Sequence, residues 1–228
     1  MYSEYADEYS EAIKDNIYNA HFERPSLFSM LPELKGLKVL DMGCGPGVYS
    51  RELIEKGAIV TGVDSSEKMI ELTKTNAPKA INIYVQDLNE GLPNEKSSVY
   101  DIVLSPLVIH YIQDLKQLFS EVNRVLKPNG VFVFSTHHPF LDFKSSVSGN
   151  YFETEYLSQM WNTVGSKVKV EFFRRPLSEL FSAIEQSNMS VISLNEGNPV
   201  EEMKSVSEKV YNKLKTTPAF IFIKCQPK

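Results

Sequence analysis

The feature that most constrains the fold is a short apolar run, Lys38-Val39-Leu40-Asp41-Met42, broken at once by Gly43-Cys44-Gly45-Pro46-Gly47. A run of that length followed by glycines reads as a buried strand leaving through a tight turn. Glycine reaches positive φ without strain, and its missing side chain lets a ligand lie against the backbone.

The rhythm repeats downstream. Residues 47–56 read as a helix and Ala58–Val63 as a second strand. Ser66–Thr75 reads as a second helix, with Ser65 or Ser66 as its cap and Glu67 in its first turn. Ala80–Val85, Asp101–Leu104 and Val131–Ser135 read as further strands. The helix Leu115–Leu126 lies between the last two and is stopped by Pro128-Asn129-Gly130. Five alternations of strand and helix predict an α/β fold, a doubly wound, Rossmann-like and mostly parallel sheet with helices on both faces. Runs such as VFVFS, apolar at nearly every residue, suit strands covered on both sides.

Residues 3–33 read as helical, and the stretch 1–35 as an N-terminal lid. Residues 138–175 break the alternation with aromatics and serines and one strand near Val168–Phe173, which predicts an insertion over the ligand-binding edge. A helix to Gln186, a strand Met189–Leu194, a helix Glu201–Lys213 and a strand Ala219–Lys224 follow. With no repeat or low-complexity linker, residues 1–228 read as one domain.

The charge balance narrows the partners. A formal net charge of -5 and thinly spread Lys and Arg argue against a nucleic-acid partner. No stretch approaches the ~18 apolar residues of a membrane span. The acidic opening MYSEYADEYSE lacks the apolar run of a secretory leader, so a cytoplasmic location is expected. Two distant cysteines make no metal pattern, and no metal is expected.

Asp64 ends the second strand, 21 residues after Gly43. In nucleotide-binding α/β folds an acidic residue at about this distance accepts hydrogen bonds from ribose hydroxyls. A carboxylate only accepts, so two hydroxyls can donate to it together. Taken alone, the glycines also read as a plain turn and Asp64 as a helix cap. Glycine turn and acid together leave a nicotinamide-dependent oxidoreductase open as well.

The spacing Gly43, Gly45, Gly47 with Asp41 before it resembles the class I S-adenosylmethionine-dependent methyltransferases of small-molecule type, methyltransferase-11-like, whose first motif is a D-x-G-x-G-x-G loop. The likeness continues through VQDLN at 85–89, YDIVLSPLVIHYIQD at 100–114 and RVLKPNGVFVFS at 124–135. It covers residues 37–137 closely and the remainder loosely. It implies a seven-stranded sheet with an antiparallel last strand and S-adenosyl-L-methionine as cofactor. It also implies transfer of the methyl group to a small-molecule acceptor by in-line displacement.

The cofactor contacts so implied are Asp41, Gly43, Cys44, Gly45, Gly47, Asp64, Ser65, Met69, Gln86, Asp87, Leu88 and Ser105. Asp87 stands where the family meets the adenine amino group. Arg24 is the candidate for the cofactor carboxylate, with a surface salt bridge as its plainer reading. Tyr18, with Tyr9 and Asn16, is a candidate to close over the cofactor. His110 and His138, with His137 between them in the chain, are the candidate general bases, since histidine alone has the right unperturbed pKa. The plainer reading of His110, in its mainly apolar stretch, is a core or pocket-wall residue. Tyr151, Phe152, Tyr156 and Trp161 either line an acceptor pocket or anchor the insertion. The acceptor, its attacking atom and the choice of monomer or homodimer are open at this point. So is a non-catalytic binding module of the same fold.

Overall fold

The computed structural model describes residues 5–162, 165 and 167–228. The N-terminal stretch folds as α1 (Ala6–Asp15), a π-helical turn at Asn19–Glu23 and α2 (Arg24–Phe28), with Pro25 in the first turn of α2. Proline is tolerated there because the first-turn N–H has no helical partner. Residues 3 and 4 of the expected helical stretch lie outside the described residues.

The alternating core follows as β1 (Lys38–Met42), α3 (Val48–Glu55), β2 (Ile59–Asp64), α4 (Glu67–Asn76) and β3 (Asn82–Val85). It continues with β4 (Tyr100–Pro106), α5 (Leu115–Val125) and β5 (Leu126–His137). Ser66 caps α4, accepting from Met69 N. β5 is longer than expected: Pro128-Asn129-Gly130 stops the helix, but the chain is already extended at Leu126, which pairs with Tyr100 before a register shift.

The insertion holds a one-turn helix, α6 (Pro139–Asp142), and an antiparallel hairpin, β6 (Glu155–Trp161) with β7 (Val168–Arg174). β6 was not expected. The chain closes with α7 (Leu177–Gln186), β8 (Met189–Asn195), α8 (Met203–Leu214) and β9 (Phe220–Pro227).

Seven strands form one sheet in the order β3-β2-β1-β4-β5-β9-β8. β1 pairs in parallel with β2 and β4, and β9 runs antiparallel to both its neighbours. The order reverses between β1 and β4, and the crevice beyond the carboxyl ends of these strands is where such sheets take ligands.

Alternation along β1 decides which side chains reach which face. Leu40 and Met42 pack with Val103, Phe132, Phe134 and the apolar stripes of α5 and α7. Val39 packs on the other face with Val60, Ile102, Leu104 and Leu53 of α3. Asp41 shares that second face. Among the described residues no helix is long and apolar enough to cross a membrane.

Candidate functional site

A cleft of about 600 Å³ opens at the switch point, bounded by the N-terminal segment, the ends of β1, β2, β4 and β5, and the β6–β7 hairpin. Its polar end is built by the turn after β1. Gly43 has φ +69°, and a Cβ there would sit 2.3 Å from Val108 Cγ2. Only glycine lets the turn pass under that side chain. Gly43, Cys44 and Gly45 all border the cleft.

Asp64 faces this turn. Its Oδ2 accepts Gly45 N–H at 3.0 Å and its Oδ1 accepts Ser66 N–H at 2.9 Å. A carboxylate offers about four acceptor positions, so these bonds orient it and leave acceptor capacity toward the cleft. Burial raises its pKa, against the lowering by the Ser66, Gly45 and Ser65 N–H groups.

Ser65, Met69, Gln86, Asp87 and Leu88 continue the wall past β2 and β3, and Tyr18 and Arg24 enter from the N-terminal segment. Asp87 Oδ1 accepts from Asn89 N–H at 2.9 Å, which pins the loop after β3. Arg24 donates to Glu52 at 3.2 Å and to the Ile13 carbonyl at 3.1 Å. Its Nε is buried and lacks a hydrogen-bond partner.

Four expected residues lie elsewhere. Asp41 is fully buried because strand alternation turns it beneath α3, where Oδ2 accepts from Ser50 Oγ at 2.6 Å. Burial lifts its pKa to about 7. Gly47 caps α3 at φ +85°, and a Cβ there would meet Thr73 Cγ2 at 2.9 Å, so it serves the approach of α3 to α4. Ser105 is wholly buried within β4. His138 leaves the end of β5 away from the cleft, with Nε2 2.9 Å from Glu196 and Nδ1 accepting from Phe140 N–H. The Cys44 thiol is buried and faces Thr73 Oγ1 at 3.6 Å, so only its backbone is offered to a ligand.

The other end of the cleft is aromatic. His110, Tyr111, His137, Tyr156, Trp161 and Phe220 all border it. Tyr151 instead receives a hydrogen bond from Leu177 N–H, and Phe152 is exposed. The hairpin is held over this end by two arginines. Arg174 is fully buried and donates to Glu155 at 2.6 Å and to the carbonyls of Asn150, Tyr151 and Glu153. Arg175 donates to the Ile112 and Gln113 carbonyls, tying the hairpin to the segment after β4.

Glu23 was missed by the sequence reading. It borders the cleft, yet its carboxyl is 1% exposed and accepts from Tyr49 Oη at 2.7 Å and Ser135 Oγ at 2.5 Å. Its partners come from α3 and β5, and no local pattern signals that meeting. Among the described residues no group of three or more His, Cys, Asp or Glu is placed to hold a metal ion.

Comparison with known proteins gives the site a context. Residues 40–134 match the family model described as a methyltransferase domain. An uncharacterized protein of Haemophilus influenzae is 37% identical over 127 residues, 53% of this chain and 50% of that protein. The ubiquinone biosynthesis O-methyltransferase of Coxiella burnetii is 36% identical over 104 residues, 45% of this chain and 44% of its own. The chain thus spans about half the length of these curated relatives. The crystal structure of an S-adenosylmethionine-dependent methyltransferase from Mesorhizobium loti superposes with a TM-score of 0.74 at 25% identity, covering 94% of this chain and 99% of that one.

Proposed function

From the premise that this chain belongs to the class I S-adenosylmethionine-dependent methyltransferases, with residues 40–134 as its methyltransferase domain, we propose that it transfers the methyl group of S-adenosyl-L-methionine to a small-molecule acceptor. The observation that carries the reading is the meeting of Asp64 with the Gly43–Gly45 turn at the switch point.

The donor set fits this cofactor. Asp64 has acceptor capacity for both ribose hydroxyls. The loop around Asp87 and Leu88 supplies a wall for the adenine. Arg24, with an unpartnered buried Nε at the cleft, suits the amino acid carboxylate. The lysine that lines the cleft, Lys169, belongs to β7 of the hairpin and already pairs with Glu171. When bound, the cofactor supplies an activated methyl group on sulfur.

The protein's own task is then to hold, align and dry. Asp64 and Arg24 fix two ends of the donor, and the aromatic end of the cleft holds the acceptor in line with it. Alignment of this kind is worth roughly 7–11 kcal/mol in favourable cases. A small acceptor is supported by the aromatic end of the cleft and by the name of the Coxiella relative, an O-methyltransferase of ubiquinone biosynthesis.

Thermal unfolding with S-adenosylhomocysteine and with NAD tests the reading. Stabilisation by S-adenosylhomocysteine alone is expected; stabilisation by NAD alone would replace it with an oxidoreductase.

A further inference from the structure

Two histidines meet where the cleft touches the interior. The His110 and His137 rings stack at 4.1 Å with 17° between their planes. His110 is buried, with Nδ1 3.3 Å from Thr136 Oγ1. Burial, then His137 and Arg175, hold its pKa well below the ordinary 6.5. It is a neutral ring that supports its neighbour.

His137 borders two spaces, the main cleft and a small neighbouring pocket of about 10 Å³. Asp142 lines the small pocket and not the cleft, and its Oδ2 lies 3.3 Å from His137 Nδ1. The Nδ1 edge therefore faces that pocket, and the Nε2 edge is the one left for the cleft. Nδ1 is buried and lies within reach of Asp142 without a formed hydrogen bond, and Asp142 is the carboxylate placed to take its proton. A carboxylate in that place keeps the proton on Nδ1 and frees the Nε2 lone pair.

Aromatic rings surround His137. Trp161, Phe172 and Phe220 stand 5.3, 5.2 and 6.2 Å from its ring. The other charged or titratable groups that face it are His110 and Tyr111 after β4, Asp142 of α6, and Arg175 after β7. Lys169 and Glu171 of β7 lie at the exposed mouth, paired at 2.8 Å.

We propose that His137 is the general base of the reaction, that Asp142 is its positioning residue, and that the acceptor's reacting group is a hydroxyl on an aromatic ring. The proposal rests on the methyltransferase reading above. As the acceptor oxygen bonds to the methyl carbon, the carbon–sulfur bond breaks and sulfur keeps its electron pair. The hydroxyl proton passes to His137 Nε2, and Asp142 steadies the imidazolium. A carboxylate acceptor would need no base, and the cations on this side of the cleft are already engaged, Lys169 with Glu171 and Arg175 with Glu179 and the Ile112 and Gln113 carbonyls. An aromatic ring suits the aromatic neighbours Trp161 and Phe220 at the cleft, and a weakly acidic hydroxyl needs the base.

The test uses protein labelled with ¹⁵N-histidine, bound to S-adenosylhomocysteine, with catechol as the acceptor probe and benzylamine as the amine control. His137 is expected to carry its proton on Nδ1. Catechol should shift its Nε2 resonance, and Asp142→Asn should remove the tautomer preference. In turnover, His137→Gln should keep S-adenosylhomocysteine affinity within about twofold yet lose roughly 10²–10⁴-fold in kcat on catechol. Asp142→Asn should lower kcat and leave KM unchanged.

A proton on Nε2, or full kcat in His137→Gln, overturns the base. A benzylamine response with none from catechol overturns the hydroxyl. Failure of the unaltered protein to bind S-adenosylhomocysteine strikes instead at the methyltransferase reading, so the two failures are told apart.

Discussion

Replacing Glu23 by glutamine should change how stability varies with pH, by an amount the structure sets. Tyr49 and Ser135 both donate to the Glu23 carboxyl and favour its charged form, as does Arg24 beside it. Burial outweighs them and raises the pKa from 4.5 to about 7. Between those values the folded chain holds a proton that the unfolded chain has lost, so stability falls as pH rises through the window. At about 1.36 kcal/mol per pKa unit, the loss from this one group reaches roughly 3 kcal/mol above the folded value. Glutamine is close in shape and neutral throughout. Asp41, also raised to about 7, drifts the same way in both proteins and cancels in the comparison. Urea unfolding from about pH 4.5 to about pH 8 should therefore show Glu23→Gln gaining on the parent by roughly 3 kcal/mol as the pH rises. A difference that stays constant with pH would mean that Glu23 is not neutral in the fold, and the reasoning from burial would be wrong.

Other outcomes follow from single contacts. Gly43→Ala places a methyl 2.3 Å from Val108 Cγ2 at φ +69° and should cost roughly 2–5 kcal/mol of stability, read by urea unfolding, from left-handed strain plus overpacking. Arg174→Met removes the donor that gathers Glu155 and three carbonyls, so amides of residues 155–161 should exchange faster in hydrogen-exchange mass spectrometry while those of β1 and β4 keep their protection.

The sheet was legible because its strands are short apolar runs punctuated by glycine, proline or a capping serine. β1, α3, β2, α4 and β3 fall within two residues of their expected bounds. β6 was hidden because Glu155–Trp161 mixes aromatic and polar residues and gains its order from β7 and from Arg174. The candidate site divides in the same way. Gly43, Gly45 and Asp64 sit where a turn and a strand end put them, and local pattern finds such places. Asp41 and His138 carry the right chemistry, but extended chain sends neighbouring side chains in opposite directions, and a motif does not tell which way each one points. Glu23 and His137 meet partners far away in sequence, as when Ser135 reaches Glu23 across 112 residues and His110 stacks on His137.

Calorimetric titration of S-adenosylhomocysteine into the parent protein and into Asp64→Ala addresses the central claim most directly. Two hydroxyls on one carboxylate, at about 1.5–3 kcal/mol for each charged hydrogen bond, predict that the variant binds at least about 100-fold more weakly while unfolding as cooperatively as the parent. Equal dissociation constants for the two proteins would contradict it, since the ribose would then be held somewhere other than at the end of β2.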